Sequence, residues 1–285
     1  MRRSSHHDLM TTVIVPLDGS EAAESALLPA RWIADTLGGS VALTTVSMAV
    51  DHQLERTFLM RAVKRIGAPA SVRTLVLPGG FPGGAILRAA ETVDDPIVCM
   101  STRGQGALAT AVIGKVAAEV LSHGELPVVL VGPSFDASTA GDMVIQCYAG
   151  GAPLTPSLLG SRCARSAGLE VRVLHVDRHV GDEDPDHHDA LAAAAAAELR
   201  GWGIDATGDD FRADDVPKAI LGLVRSVHPR LLALRRNPLV GRIERPLGRV
   251  GIELVRSCPC PVIVDPVCST PLEAESLQGT APAGV

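Results

Sequence analysis

Aromatic side chains are scarce in this sequence. Its 285 residues include four Phe, two Trp and one Tyr, 2% of the chain. Proteins that bind single-stranded nucleic acid use rings as stacking platforms, so this scarcity argues against that class. A basic excess is also missing. Lys+Arg number 26 against 32 Asp+Glu, a formal net charge of −6, which leaves no domain-wide footprint for nucleic acid. No apolar run is long: the longest, Ala190 to Ala197, falls far short of the ~18 residues of a membrane-spanning helix, so no membrane partner is expected. The opening MRRSSHHDLM has two arginines but no apolar core of a signal peptide. Six cysteines (Cys99, Cys147, Cys163, Cys258, Cys260, Cys268) in a chain of this length make no disulfide framework. The expectation is therefore a cytoplasmic protein with reduced thiols. Cys258 and Cys260 form only a C-x-C, whereas structural zinc sites use wider pairs and a second pair of ligands.

What is present is aliphatic. Hydrophobic residues make up 46% of the chain, so a core must be built from Val, Leu, Ile and Ala. That composition suits buried parallel strands covered by Ala-rich helices. At roughly 150 residues per domain, the length suggests two domains.

Short β-branched runs alternate with helical stretches. In the first half, TTVIVP reads as a strand ending at Asp18-Gly19-Ser20, and a helix runs from Glu21 to the stop at Gly38-Gly39. Strands follow at Ser40 to Val46, Ser71 to Leu77, Asp95 to Ser101 and Pro127 to Val131. Helices are expected over about Leu54 to Ile66, in GGAILRAAE and around Lys115 to Ser122. The second half repeats this order. Strands are expected at Met143 to Tyr148, Leu169 to Val176, Ile204 to Gly208, Arg230 to Arg236 and Pro261 to Pro266. Helices are expected over Pro153 to Ala167, in HHDALAAAAAAELRG and in ADDVPKAILGLVRSV. The ends of the halves align directly: Gly114 over Gly248, Glu119 over Glu253 and Pro127 over Pro261, at one offset of 134. This is an internal repeat. The expected boundaries are a disordered segment 1–10, a first domain 11–133, a linker 134–141, a second domain 142–266 and a disordered tail 267–285.

In an open parallel sheet, ligands bind beyond the carboxyl ends of the strands, where the strand order reverses. Asp18 stands at one such end, where it either receives hydrogen bonds from a sugar or base edge or simply caps the first helix. Ser101-Thr-Arg103-Gly104-Gln-Gly stands at another, and Gly114-Lys115-Val116 opens the next helix. A glycine loop before a helix N-terminus offers free amides to phosphate, with Lys115 in the first turn. The alternative is that the glycines only turn the chain. Gly104 to Ala109 and Gly201 to Ala206 both fit G-x-G-x-x-A, but neither follows the first strand of a βαβ unit, so no dinucleotide fingerprint is present. Gly114-Lys115 is not a Walker A motif, since Ala109 and Val116 replace its glycine and hydroxyl residue. His175 to His188 (HVDRHVGDEDPDHH) reads as a metal-binding tract or as a solvated loop before a helix. No serine elbow or recognisable Cys/His nucleophile arrangement occurs, so the chain is not expected to be an enzyme; a slow ATPase is the remaining catalytic reading.

VIVPLDGSEAAESAL, the S-x-R-G loop with nine residues before Gly114, and ELPVVLVG resemble the universal stress protein family. The resemblance spans two tandem domains, stronger over 11–133 than over 142–266. It implies an α/β fold of two doubly wound domains, each a five-stranded parallel sheet flanked by helices, of the adenine-nucleotide alpha-hydrolase-like kind. It also implies a regulatory or protective role in stress response. ATP-binding members carry G-x-x-G, nine residues, then G-[S/T]. Here Ser101 replaces the first Gly, Gly104 and Gly114 match, and Lys115 replaces the hydroxyl residue. The implied ligand is ATP, with Mg2+. Its implied contacts are Pro16 and Asp18 at the first strand, Val46 beside adenine, and Ser101, Arg103, Gly104, Gly114, Lys115 and Val116 around phosphate. In the second domain Tyr148 or Ala149 takes the Asp18 position and Arg235-Arg236-Asn237-Pro238 replaces the glycine loop. Pro238 has no N–H to donate, so no nucleotide is expected there. The family pairs domains through fifth-strand edges. That implies Val128 to Val131 against Val262 to Val264 as an intrachain pseudo-dimer, or a homodimer. A protein partner is implied but not specified. The other reading is an interaction module of the same fold that binds no nucleotide.

Overall fold

A computed structural model describes residues 10–67, 71–104, 113–123, 125–149, 155–178, 191–235 and 247–266. Of the expected disordered segments 1–10 and 267–285, residues 1–9 and 267–285 lie outside them. The first half runs β1 (Thr12–Pro16), α1 (Glu21–Glu24), α2 (Leu27–Leu37), β2 (Ser40–Ser47), α3 (Gln53–Ile66), β3 (Val72–Pro78), α4 (Pro82–Ala90), β4 (Pro96–Ser101), α5 (Lys115–His123) and β5 (Val128–Val131). The second runs β6 (Met143–Ala149), α6 (Leu158–Ala167), β7 (Glu170–Arg178), α7 (Leu191–Gly201), β8 (Ala206–Ala213), α8 (Val216–Val227), β9 (Leu231–Arg235), α9 (Arg249–Ser257) and β10 (Val262–Asp265).

The two halves share one sheet of ten strands, ordered β3-β2-β1-β4-β5-β10-β9-β6-β7-β8. Eight of its neighbouring pairs are parallel. The ninth, β5 with β10, is antiparallel, in the register Val262↔Leu130, Ile263↔Val129 and Val264↔Val128. The fifth strands therefore meet inside the chain. All the valines of this seam are fully buried. One face of the sheet is covered by α2, α3, α6 and α7, the other by α4, α5, α8 and α9. The packing is aliphatic, with Tyr148 and Trp202 as the only buried Phe, Tyr or Trp among the described residues. The repeat extends to the caps: Gly38 and Gly168 both end their helices at φ 65°, a left-handed conformation that glycine adopts without a Cβ clash.

Three elements differ from the sequence expectation. The first helix is broken after Glu24, because Pro29 has no N–H to donate to the Ser25 carbonyl. Helix α6 starts at Leu158, not Pro153, because Ser157 takes an extended conformation and caps it through Gly160 N at 3.0 Å. Strand β8 runs on to Ala213 instead of ending at Gly208. Its acidic residues find partners on β7: Arg172 Nε donates to Asp209 at 2.6 Å and His175 Nδ1 lies 2.9 Å from Asp210. Cross-strand partners let polar residues join a ladder that the hydrophobic pattern alone would stop.

A clamp across the halves supports the seam. Arg162 of α6 donates to Asp95 Oδ1 at 3.0 Å, to Asp95 Oδ2, and to Thr11 Oγ1 at 2.9 Å. Thr11 also donates to Asp95. Burial pushes the Asp95 carboxyl up, but hydrogen bonds from Arg162 and Thr11 and the guanidinium charge outweigh it, leaving it below the usual carboxylate range. A lowered folded-state value means stability present above the unfolded value of about 3.9 and lost as pH falls through the folded value. Arg162→Leu is expected to cost about 1.5–3 kcal/mol near neutral pH, with the difference from wild type shrinking below about pH 4. Urea unfolding at a series of pH values tests this; equal midpoints at pH 7 would contradict it.

Candidate functional site

The order of the first-half strands reverses between β1 and β4, since β2 lies on one side of β1 and β4 on the other. A cavity of about 450 Å3 opens at the carboxyl ends of β1, β2 and β4, closed by the starts of α4 and α5. All nine residues singled out in the sequence line it: Pro16, Asp18, Val46, Ser101, Arg103, Gly104, Gly114, Lys115 and Val116. Thr45, Pro82 and Ile86 also line it and were not foreseen. Pro82 and Ile86 come from α4, which the alternation of elements predicts but cannot place at this end of the sheet.

Asp18 does not cap the helix. Ser20 does, its Oγ accepting from Ala23 N at 3.1 Å. Asp18 Oδ1 accepts from Ser20 N at 3.0 Å and Ser20 Oγ at 2.7 Å, which fixes the carboxylate in an exposed position on the cavity wall. Gly104 faces it closely enough that a Cβ there would run into the carboxylate. A side chain at 104 would therefore push the Asp18 carboxylate aside.

Ser101 ends β4, and its Oγ accepts from Arg103 N at 3.2 Å. The extra side chain relative to glycine thus helps turn the backbone. Gly114 N donates to the Thr102 carbonyl at 2.7 Å, and its own carbonyl accepts from Ala118 N at 2.9 Å, which starts α5. A Cβ on Gly114 would lie 3.1 Å from that Thr102 carbonyl oxygen. Lys115, exposed, is the first residue of α5, and Val116 packs partly on the core beneath. Residues 105–112 lie outside the described residues. Among the lining residues Arg103, Lys115 and the positive end of α5 face a single carboxylate, so the mouth favours an anion. Val46, Ile86 and Pro82 give it an apolar side. An apolar wall, one fixed carboxylate and a cationic helix start together suit a ligand with a flat apolar body, hydroxyls and an anionic tail.

The second half ends its strands differently. Val13 pairs with Ile97 and Val144 with Leu231, so the common register sets Ala149 over Asp18 and Tyr148 over Leu17. Of the two candidates it is Ala149 that stands in the Asp18 position. Tyr148 donates to the Thr155 carbonyl at 2.9 Å and lies 3.1 Å from Gln146 Oε1. Gln146, fully buried, accepts from Ser157 N at 2.8 Å and donates to Ser161 Oγ at 3.0 Å. Its counterpart in the first half is Val15. Arg235 ends β9, while 236–238 lie outside the described residues. Of the His- and acid-rich tract, His175 is buried inside β7 and faces Asp210 rather than a solvated loop, and 179–188 lie outside. No group of three or more potential metal ligands occurs among the described residues, and no described helix is long and apolar enough to cross a membrane.

Comparison with known proteins agrees with the fold. The model of the universal stress protein family matches residues 10–132. A universal stress protein from Thermus aquaticus is 29% identical over 136 residues, covering 43% of this chain and 99% of that one. The crystal structure of a universal stress protein from Archaeoglobus fulgidus covers 90% of this chain and 96% of its own, at 19% identity and a TM-score of 0.65. A functionally unknown protein from Pseudomonas aeruginosa covers 94% of this chain and 95% of its own, at 12% identity and a TM-score of 0.56. The first half of the chain is therefore similar in sequence to universal stress protein domains. At those identities the two structures show that the fold extends over both halves, and nothing about ligands.

The buried network of the second half gives a direct test. Gln146→Leu strands the Ser157 N–H and takes from the Ser161 hydroxyl the bond it accepts, leaving the one it donates to the Ser157 carbonyl, at an expected cost of about 1–3 kcal/mol. An unchanged urea midpoint would contradict the role given to Gln146.

Proposed function

We propose that this protein is a non-catalytic, nucleotide-responsive regulator that binds an adenine nucleotide, ATP with Mg2+, in the cavity of its first half. The observation that carries the proposal is the joint placement of Asp18, Gly104, Gly114 and Lys115 around one cavity with an apolar wall at Val46. Asp18 accepts hydrogen bonds from ribose or adenine. Val46 lies against the base. Gly104, the start of α5 at Gly114 and the Lys115 ammonium hold the phosphates, with Ser101, Arg103 and Val116 shaping the loop and Pro16 the floor. Asp18 is the one carboxylate on the described wall, so the metal ion is held chiefly by the nucleotide's own phosphates and water.

Binding across the Asp18 side and the α5 side favours conformations in which these walls are held together, and a partner-facing surface responds. The second half, with Ala149 in place of Asp18, binds no nucleotide in this way and acts as a structural and regulatory twin. A second reading rests on Ser101 and Lys115, which depart from the family motif: the same fold acts as an interaction module without nucleotide. The domain limits 11–133 and 142–266, joined by 134–141, and a cytoplasmic setting belong to this proposal, as does a homodimer of the whole chain.

Calorimetric titration of the full chain with Mg-ATP tests it. Saturable binding at millimolar ATP or tighter is expected. Asp18→Ala and Gly104→Pro should each weaken it by about tenfold or more, ~1.4 kcal/mol, with folding checked by circular dichroism. Lys115→Ala should weaken it most at low salt. No binding by the wild type favours the interaction module. Equal affinity in all three variants places the site elsewhere. No phosphate release is expected.

A further inference from the structure

Two cysteines that serve no purpose in the nucleotide site lie side by side at the seam between the halves. Cys258 ends α9 and Cys260 precedes β10, with Pro259 between them. Their sulfurs are 3.3 Å apart in a buried setting, about 1.2 Å more than the ~2.05 Å of a disulfide bond. At the offset of the repeat, the first half has Gly124 and Leu126 in these places, so the pair is not required by the fold. The turn that carries it is tied to the segment after β5. Asp136 N donates to the Pro259 carbonyl at 2.9 Å and Ser134 Oγ to the Arg256 carbonyl at 3.0 Å.

We infer that Cys258 and Cys260 form a modification site, a dithiol that a hydroperoxide converts into a reversible intrachain disulfide. The Cys258 sulfur attacks one oxygen of the hydroperoxide. The O–O bond breaks, Cys258 becomes a sulfenic acid, and the other oxygen leaves as water or an alcohol. The Cys260 sulfur then attacks the Cys258 sulfur, the S–O bond breaks, and hydroxide takes the Cys260 proton and leaves as water. Two thiols are oxidised and one peroxide is reduced. A small dithiol reverses the change by exchange.

The order of attack follows from the surroundings. A hydrogen bond from the Cys260 side chain and one from its backbone N–H, with the charge of Arg225, hold the Cys258 thiol below its ordinary value against the opposing effect of burial. Burial pushes Cys99 and Cys147 up, and Cys163 up to about 12. Those three are therefore internal controls, since the thiolate is the reactive form. Burial of the pair makes its oxidation slower than that of a free thiol, because the turn must open first.

Peptide mass spectrometry of the full chain tests this independently of nucleotide binding. The protein is treated with hydrogen peroxide, unfolded, alkylated, and cleaved after Arg256 and before Asp265, which leaves both cysteines on one peptide. That peptide is expected to lose two hydrogens and take up no alkyl group, to regain both sites after dithiothreitol, and to leave Cys99 and Cys163 alkylated throughout. In Cys260→Ala a sulfenic-acid trap such as dimedone is expected on Cys258. Full alkylation after peroxide, a bridge from either cysteine to Cys147 or Cys268, or oxidation beyond the disulfide would overturn the inference.

Discussion

The antiparallel pairing of β5 with β10 is the contact on which the rest of the structure depends. Each half on its own would end in a short, fully apolar strand with unpaired N–H and C=O groups facing water. Joining the two satisfies both edges and merges two five-stranded sheets into one of ten. Helices of one face then meet across the seam: α2 packs on α6, Arg162 reaches Asp95, and Arg230 stacks over Trp32 at 5.5 Å. The outer edges carry what the inner ones lack. Strand β3 exposes Arg73 and ends at Pro78, and β8 carries Asp209, Asp210 and Arg212. Charge and proline discourage further strand addition there.

Within this frame the two halves have diverged at their strand ends. Val15, buried in the core of β1, and Asp18, on the cavity wall beyond it, become Gln146 and Ala149 in the second. A buried amide with three polar neighbours closes the end of β6, where β1 ends in an exposed carboxylate held by Ser20. The fold is shared, and the strand ends differ between the halves in a few residues only. The cysteine pair belongs to the same divergence, since it occupies the turn before β10 and has no counterpart before β5.

The alternation of elements was readable throughout, because aliphatic runs and Ala-rich helices have clear periods and the repeat repeats their order. The seam was readable only through the family resemblance, since nothing in the spacing of Val128 and Val262 says that they meet. Errors fell where polar contacts override pattern. The acidic stretch of β8 became strand because Arg172 and His175 stand opposite it. The nine site residues gather around one cavity, yet Thr45, Pro82 and Ile86 escaped notice. They carry no chemical signature and enter the wall only through the packing of α4 against the sheet.

Hydrogen exchange of the full chain with and without Mg-ATP tests the central claim, that the carboxyl ends of β1 and β4 in the first half form the nucleotide site, more directly than affinity alone. Slower exchange is expected in residues 17–20, 101–104 and 114–118, with no change at 147–149 or 233–235. Protection at the second-half strand ends, or none in the first half under conditions where ATP is bound, would contradict the account.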